Sequence, residues 1–329
     1  MNDTITAVDG VRVGHAQLAG ARTGCSVVLL PPSSEVACDA RGGYPGTYDT
    51  HSIDVGKKYL SKHAIFLTGG DVLGFDSAIG VRRFLLERGT ASIGEGAANL
   101  PGIVGADIYD LAFADVEGVS YPQLGYDACA AATQGPVAEG NVGAGMGATV
   151  GKFAGRELAS KGGCGSSART LANGLTVGAV VVTNSFGNVV DPDTGAMVAG
   201  ARGAKRGEFV AFDGFVEEFL RRRMERGNTT IGVVATNADL SHEQLIRVVQ
   251  VAHDGLAAAI RPVHTLADGD TIFATSTGAW KAWKGPSDPV VDAVGYLATR
   301  CVSSAVLRSV RAAATLGGVP SASEWTGGT

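Results

Sequence analysis

Gly227-Asn228-Thr229-Thr230-Ile231-Gly232-Val233-Val234-Ala235 joins a charged run, Arg221-Arg222-Arg223 with Glu225 and Arg226, to an apolar one. The β-branched stretch predicts a buried strand, and Gly-Asn predicts a bend at its entrance. A threonine at such an entrance has its hydroxyl held rigidly. If the chain were cut just before it, Thr229 would carry both a nucleophilic Oγ and a free α-amine. That amine, with an ordinary pKa of roughly 7.7–8.0, can act as base for its own hydroxyl. These letters alone read more simply as a turn into a strand.

Working outward, short β-branched runs bounded by Gly, Pro, Asn or Asp recur at 25–30, 34–38, 64–68, 102–108, 177–182 and 271–276. Helical periodicity covers 71–88, stopping at Gly89, and about 290–315 after Pro289. The clearest helix is 241–260: Ser241 and Gln244 form a capping-box signature, and Leu245, Val248, Val249, Ala252, Leu256 and Ile260 trace one face. The segments 155–169 and 191–208 are expected to be loops, the second leading to an exposed, cuttable connection before Thr229. Strands and helices mix without strict alternation, which predicts an α/β fold of layered sheets and helices and no internal repeat.

Composition narrows the function classes. The 329 residues are 45% hydrophobic and only 18% charged, enough for a substantial core. The net charge of −5 and the single basic cluster, mixed with Glu217, Glu218 and Glu225, argue against nucleic-acid binding. Five scattered cysteines without a CxxC point to reduced thiols and a cytoplasmic location. The first residues have neither a basic nor an apolar signal region, and no uninterrupted apolar run approaches the roughly 18 residues of a membrane span.

Several motifs could carry chemistry. The Gly-rich stretch Asn141 to Lys152 fails as a nucleotide cradle, because Met146 and Phe153 stand where a phosphate loop needs Gly and Ser/Thr. It suits bringing backbone N–H groups and Lys152 close to developing negative charge. Asp268-Gly269-Asp270 enters a strand at Thr271, and two carboxylates two apart can share protons or hold an amine; a plain turn is the alternative. Asn184, after Val180-Val181-Val182-Thr183, can donate to an oxyanion or simply close an Asx-turn. His253 and His264 match no common metal spacing, and Asp191-Pro192-Asp193-Thr194-Gly195 lacks the rest of a calcium loop, so no metal or cofactor is expected. No histidine pairing suggests a Ser-His-Asp triad, so a hydrolase built on this chain needs another base.

Together, Asp39-Ala40-Arg41-Gly42-Gly43, Leu67-Thr68-Gly69-Gly70, Gly143 to Lys152, Val180 to Asn184, Gly227 to Asn237 and Asp268 to Ala274 resemble the L-aminopeptidase/D-esterase family of N-terminal-nucleophile hydrolases. That family includes β-peptidyl aminopeptidases and endo-type nylon-oligomer hydrolases. The resemblance implies a single-domain, four-layer αββα sandwich of the aminopeptidase/ornithine acetyltransferase type. It implies self-cleavage between Asn228 and Thr229 into fragments 1–228 and 229–329 that stay folded together. By the same resemblance Thr229 is the nucleophile, Asn184 the oxyanion donor, and Lys152, Asp268 and Asp270 the charged network around it. Tyr109 is a proton donor or substrate contact, and Asp107 holds the substrate's free amine. A homotetramer of processed chains is expected too. Thr229 with the Asp-x-Asp pair resembles the nylon-oligomer branch, Asp107 the aminopeptidase branch, and Asp71 stands where the family usually has Ser.

Three functions compete at this stage: an amidohydrolase acting on small peptides, β-peptides, amides or ω-amino-acid oligomers; an acyltransferase like the ornithine acetyltransferases, whose nucleophile motif is not evident; and a silent relative that never processes.

Overall fold

The computed structural model describes residues 2–90, 100–221 and 227–327. Most of the charged run before Gly227, residues 222–226, lies outside the described residues.

Two five-stranded sheets face each other. In the first, the strand order is Arg12–Leu18, Thr23–Leu29, Ala64–Thr68, Ile103–Asp107 and Thr47–Tyr48. In the second it is Glu35–Ala40, Thr271–Ser276, Thr229–Thr236, Thr176–Asn184 and Gly163–Thr170. Side chains alternate across each strand, so each sheet feeds two cores. Ile65, Leu67, Val104 and Ala106 of the first sheet meet Val180, Val182, Ile231 and Val233 of the second in the inner core. Ala64, Phe66 and Ile103 instead face helices Ser77–Glu87 and Tyr121–Ala130. Val177, Val181, Val234 and Ile272 face helices His242–Ala259 and Asp288–Arg311. The result is the expected αββα sandwich, and fully burying each Ile or Phe of these layers contributes about 1.5–3 kcal/mol.

The seven strands expected from β-branched runs all form, and the capping box at Ser241 is reciprocal, the Ser241 Oγ accepting from Gln244 N–H and Gln244 Oε1 from Ser241 N–H. Two expectations need correction. Residues 155–169 are not a loop: Ser160–Lys161 and Gly163–Thr170 are strands, the latter an edge of the second sheet. Its small residues let helix Asp288–Arg311 lie close, since a β-carbon at Gly165 would sit 2.1 Å from the Ala305 carbonyl oxygen. Met197–Ala199 is likewise a strand inside the expected loop 191–208. Helix Asp288–Arg311 is long and apolar enough to cross a bilayer by length and composition, although charges interrupt it. Val294, Ala298, Cys301, Val302 and Val306 pack it into the core, which accounts for that composition.

Candidate active site

Register gathers the candidate residues at one end of the second sheet. Thr229 opens its strand directly opposite Asn184, which ends the neighbouring antiparallel strand. On the other side Ile231 pairs with Thr271 in parallel, bringing Asp268-Gly269-Asp270 alongside. Thr229 and Asn184 are in phase with Ile231, Val233, Val180 and Val182, all of the inner core, so both occupy sheet positions facing the first sheet.

Thr229 is 4% exposed. Its Oγ donates to the Asn228 carbonyl oxygen at 2.5 Å, and the Gly269 N–H donates to that same oxygen at 2.8 Å. The carbonyl just before the candidate nucleophile is therefore polarised by two donors. Gly227 holds φ +102°, a conformation that disfavours any side chain, and a β-carbon there would lie 2.4 Å from Tyr109 Cδ1. The Tyr109 ring thus presses on the backbone leading into the bond.

Lys152 is buried and its Nζ donates to the Asn184 carbonyl and to Asn184 Oδ1, each at 2.8 Å. Asn184 Oδ1 also accepts from the Thr149 N–H at 3.0 Å, and Asn184 Nδ2 donates to the Tyr109 carbonyl at 3.1 Å. Lys152 thereby orients the carboxamide and bonds Asn184 rather than the Thr229 hydroxyl. Burial pushes its ammonium well below the ordinary lysine range, against the pull of Asp268.

The two carboxylates of the Asp-x-Asp pair are used differently. Asp268 accepts from Phe186 N–H at 3.1 Å, from Thr265 N–H at 3.1 Å and from the Thr265 hydroxyl at 2.6 Å. Burial, helped by the Asp270 charge, pushes it up to about 7. Asp270 accepts from the Thr230 N–H at 2.7 Å and bonds His264 Nδ1 at 2.8 Å. His264 stacks edge-on against His253, ring centroids 5.0 Å apart, and meets Asp270 rather than the Thr229 hydroxyl, so the contact is not a Ser-His-Asp arrangement.

Beside Thr229 a cleft of about 260 Å³ is lined by Tyr44, Gly46, Asp71, Asp107, Tyr109 and residues 227–229, among others. Asp107 is 3% exposed, with Oδ2 lacking a hydrogen-bond partner. Burial, then the Asp71 and Asp110 charges, pushes its carboxyl up to about 7. Among the described residues no group of three His, Cys, Asp or Glu is arranged to hold a metal ion. All five cysteines are free, and burial raises Cys25, Cys164 and Cys301 to about 12, which makes them poor nucleophiles.

A sequence profile of peptidase family S58 matches residues 3–323. The chain belongs to peptidase family S58. It is a hydrolase of peptide and related amide bonds, with an N-terminal-nucleophile hydrolase fold. An uncharacterized aminopeptidase of Mycobacterium leprae is 40% identical over 97% of this S58 peptidase and 92% of the relative. A 6-aminohexanoate-oligomer endohydrolase of Paenarthrobacter ureafaciens is 34% identical over 82% of this chain and 73% of its own. The solved L-aminopeptidase D-Ala-esterase/amidase of Ochrobactrum anthropi, described as a variant of the N-terminal-nucleophile hydrolase fold, superposes with a TM-score of 0.70. It covers 94% of this chain and 86% of that one at 22% identity, a likeness of fold.

The structure of this S58 peptidase brings together Thr229, Asn184, Lys152, Asp268, Asp270 and Tyr109 as one connected group, with Asp107 on the cleft wall. Sequence reading missed the Gly269 N–H and His264. The first had no signal, since any backbone amide could serve. The second had one: a histidine six residues before Asp270.

Proposed function

We propose that this S58 peptidase cleaves itself between Asn228 and Thr229 and then works as a threonine aminopeptidase on amides with a free amino end. The observation that carries the reading is the buried Thr229 hydroxyl on the Asn228 carbonyl oxygen at the wall of an acidic cleft. In self-cleavage Thr229 Oγ attacks the Asn228 carbonyl carbon and its proton passes to the departing nitrogen, giving an ester and a free α-amine. Water then hydrolyses the ester. In turnover the same Oγ attacks the substrate carbonyl, the α-amine carries the proton to the leaving amine, and water releases the acyl-enzyme. The second Nδ2 hydrogen of Asn184 is available to the developing oxyanion once Lys152 has oriented the amide. Denaturing mass spectrometry tests processing: fragments 1–228 and 229–329 are expected, and a persistent full-length chain overturns the reading.

Asp107 receives the substrate ammonium. Its carboxyl, raised to about 7, is neutral below that pH and charged above it, so amine binding strengthens as pH rises through 7. KM for an amino-acid p-nitroanilide is expected to fall between pH 6 and pH 7, before the substrate amine, of ordinary pKa roughly 7.7–8.0, loses its own proton. Asp107→Asn removes the charge, and is expected to raise KM about tenfold or more while flattening that limb. A KM in Asp107→Asn that keeps the pH dependence would assign the limb elsewhere.

The acidic cleft wall favours recognition of an amino end over internal cleavage. The endo-acting reading, carried by the 34%-identical 6-aminohexanoate-oligomer endohydrolase, remains the second one. N-acetylated aminohexanoate oligomers separate the two: turnover of a blocked oligomer at the rate of the free one would establish endo action. A cytoplasmic location fits five unpaired thiols, and native mass spectrometry tests the homotetramer proposed from the resemblance.

A further inference from the structure

The cleft beside Thr229 carries two carboxylates, and none of the described residues lining it is a cation. They come from the ends of adjacent parallel strands. Asp107 closes Ile103–Asp107 and pairs with Thr68, the last residue of Ala64–Thr68; Gly69, Gly70 and Asp71 follow. Asp71 holds φ +54°, a left-handed conformation tolerated by Asp and Asn. Its N–H donates to the Ile108 carbonyl at 3.2 Å, fixing the residue at the cleft wall.

The two differ from the third acid nearby. Asp110 is spent, accepting from the Gly70 N–H at 2.7 Å and the Thr23 hydroxyl at 2.8 Å. Asp107 Oδ2 is buried with no partner, and no salt bridge to a described residue engages Asp71. Two like charges on one small cleft repel, and a single ammonium compensates only one. Pro45 and Val72 add apolar surface to the same lining, suited to a methylene chain.

We propose that Asp71 is a second cation site in this cleft, so that preferred substrates are amides whose amino-terminal residue carries two amino groups, such as ornithine or lysine. The inference rests on Asp107 binding the first amine, as proposed above. A side chain of the same shape without charge fills the apolar wall but leaves Asp71 facing hydrocarbon, which is where the discrimination arises.

Lysine and norleucine p-nitroanilides differ only by that terminal ammonium. The processed enzyme is expected to favour lysine about tenfold in kcat/KM, the size of one partly screened charge contact. In Asp71→Asn, which the left-handed backbone accepts, the ratio is expected to fall to about one. A ratio near one in the unsubstituted enzyme, or a ratio that survives Asp71→Asn, overturns the second site. Equal losses for both substrates would mean that one ammonium bridges the two carboxylates, and would also overturn it. Should Asp71→Asn fail to process, inhibition of the unsubstituted enzyme decides: 1,5-diaminopentane is expected to compete more tightly than pentylamine, and equal inhibition counts against the proposal. If the enzyme hydrolyses neither p-nitroanilide, the aminopeptidase reading itself fails, a separate result.

Discussion

Thr229→Ala is expected to leave the chain at full length, folded and inactive. The substitution removes only the Oγ and a methyl group from a strand entrance whose backbone pairing with Asn184 is untouched, so the sandwich is expected to melt near the unsubstituted temperature. What it deletes is the one hydroxyl poised on the Asn228 carbonyl. Without that attack no α-amine is released, and nucleophile and base are lost together. Turnover is expected to drop at least about 10⁴-fold, as when a nucleophile acting in a coupled unit is removed. Thr229→Ser, which keeps an Oγ, should still yield the two fragments. Ordinary processing of Thr229→Ala would show that another group attacks, and would end the proposed assignment.

The second large effect is expected at Lys152. Lys152→Met keeps the length of the buried side chain but withdraws the donor from both the Asn184 carbonyl and Asn184 Oδ1. Asn184 Oδ1 keeps the Thr149 N–H, but each lost buried hydrogen bond costs about 0.5–1.5 kcal/mol, and the carboxamide loses one of the contacts that orient it. Self-cleavage and turnover are both expected to slow about 10²- to 10³-fold. Time-resolved mass spectrometry of freshly made protein gives the first rate and p-nitroanilide release the second. A merely structural lysine would lower the melting temperature without changing the rate of processing in the chains that remain folded. Full-speed processing in Lys152→Met would remove it from the machinery.

Much of the sandwich was legible because its signals are local. The β-branched runs at 64–68, 177–182, 231–236 and 271–276 became inner strands, and the periodic face from Leu245 to Leu256 became the buried side of a helix. Strand Gly163–Thr170 escaped because it has no strand propensity; it pairs because Thr176–Asn184 templates it and helix Asp288–Arg311 needs small residues beneath it. Strand Arg12–Leu18 and helix Tyr121–Ala130 were missed for want of a clean period.

At the site, the sequence alone fixed residue types and local placement: a threonine opening a strand, an asparagine closing one, two aspartates before a third. These follow from turn chemistry and side-chain period, which act over a few residues. It could not determine which of them meet. That Thr229 lies opposite Asn184, that the Gly269 N–H reaches the Asn228 carbonyl, and that His264 holds Asp270 are decided by sheet register and loop closure. That Asp107 and Asp71 of one sheet share a cleft with Thr229 of the other depends on how two sheets pack over a common core. Asp107 and Asp71 lie more than a hundred positions before Thr229, and only burial of the whole sandwich brings them together.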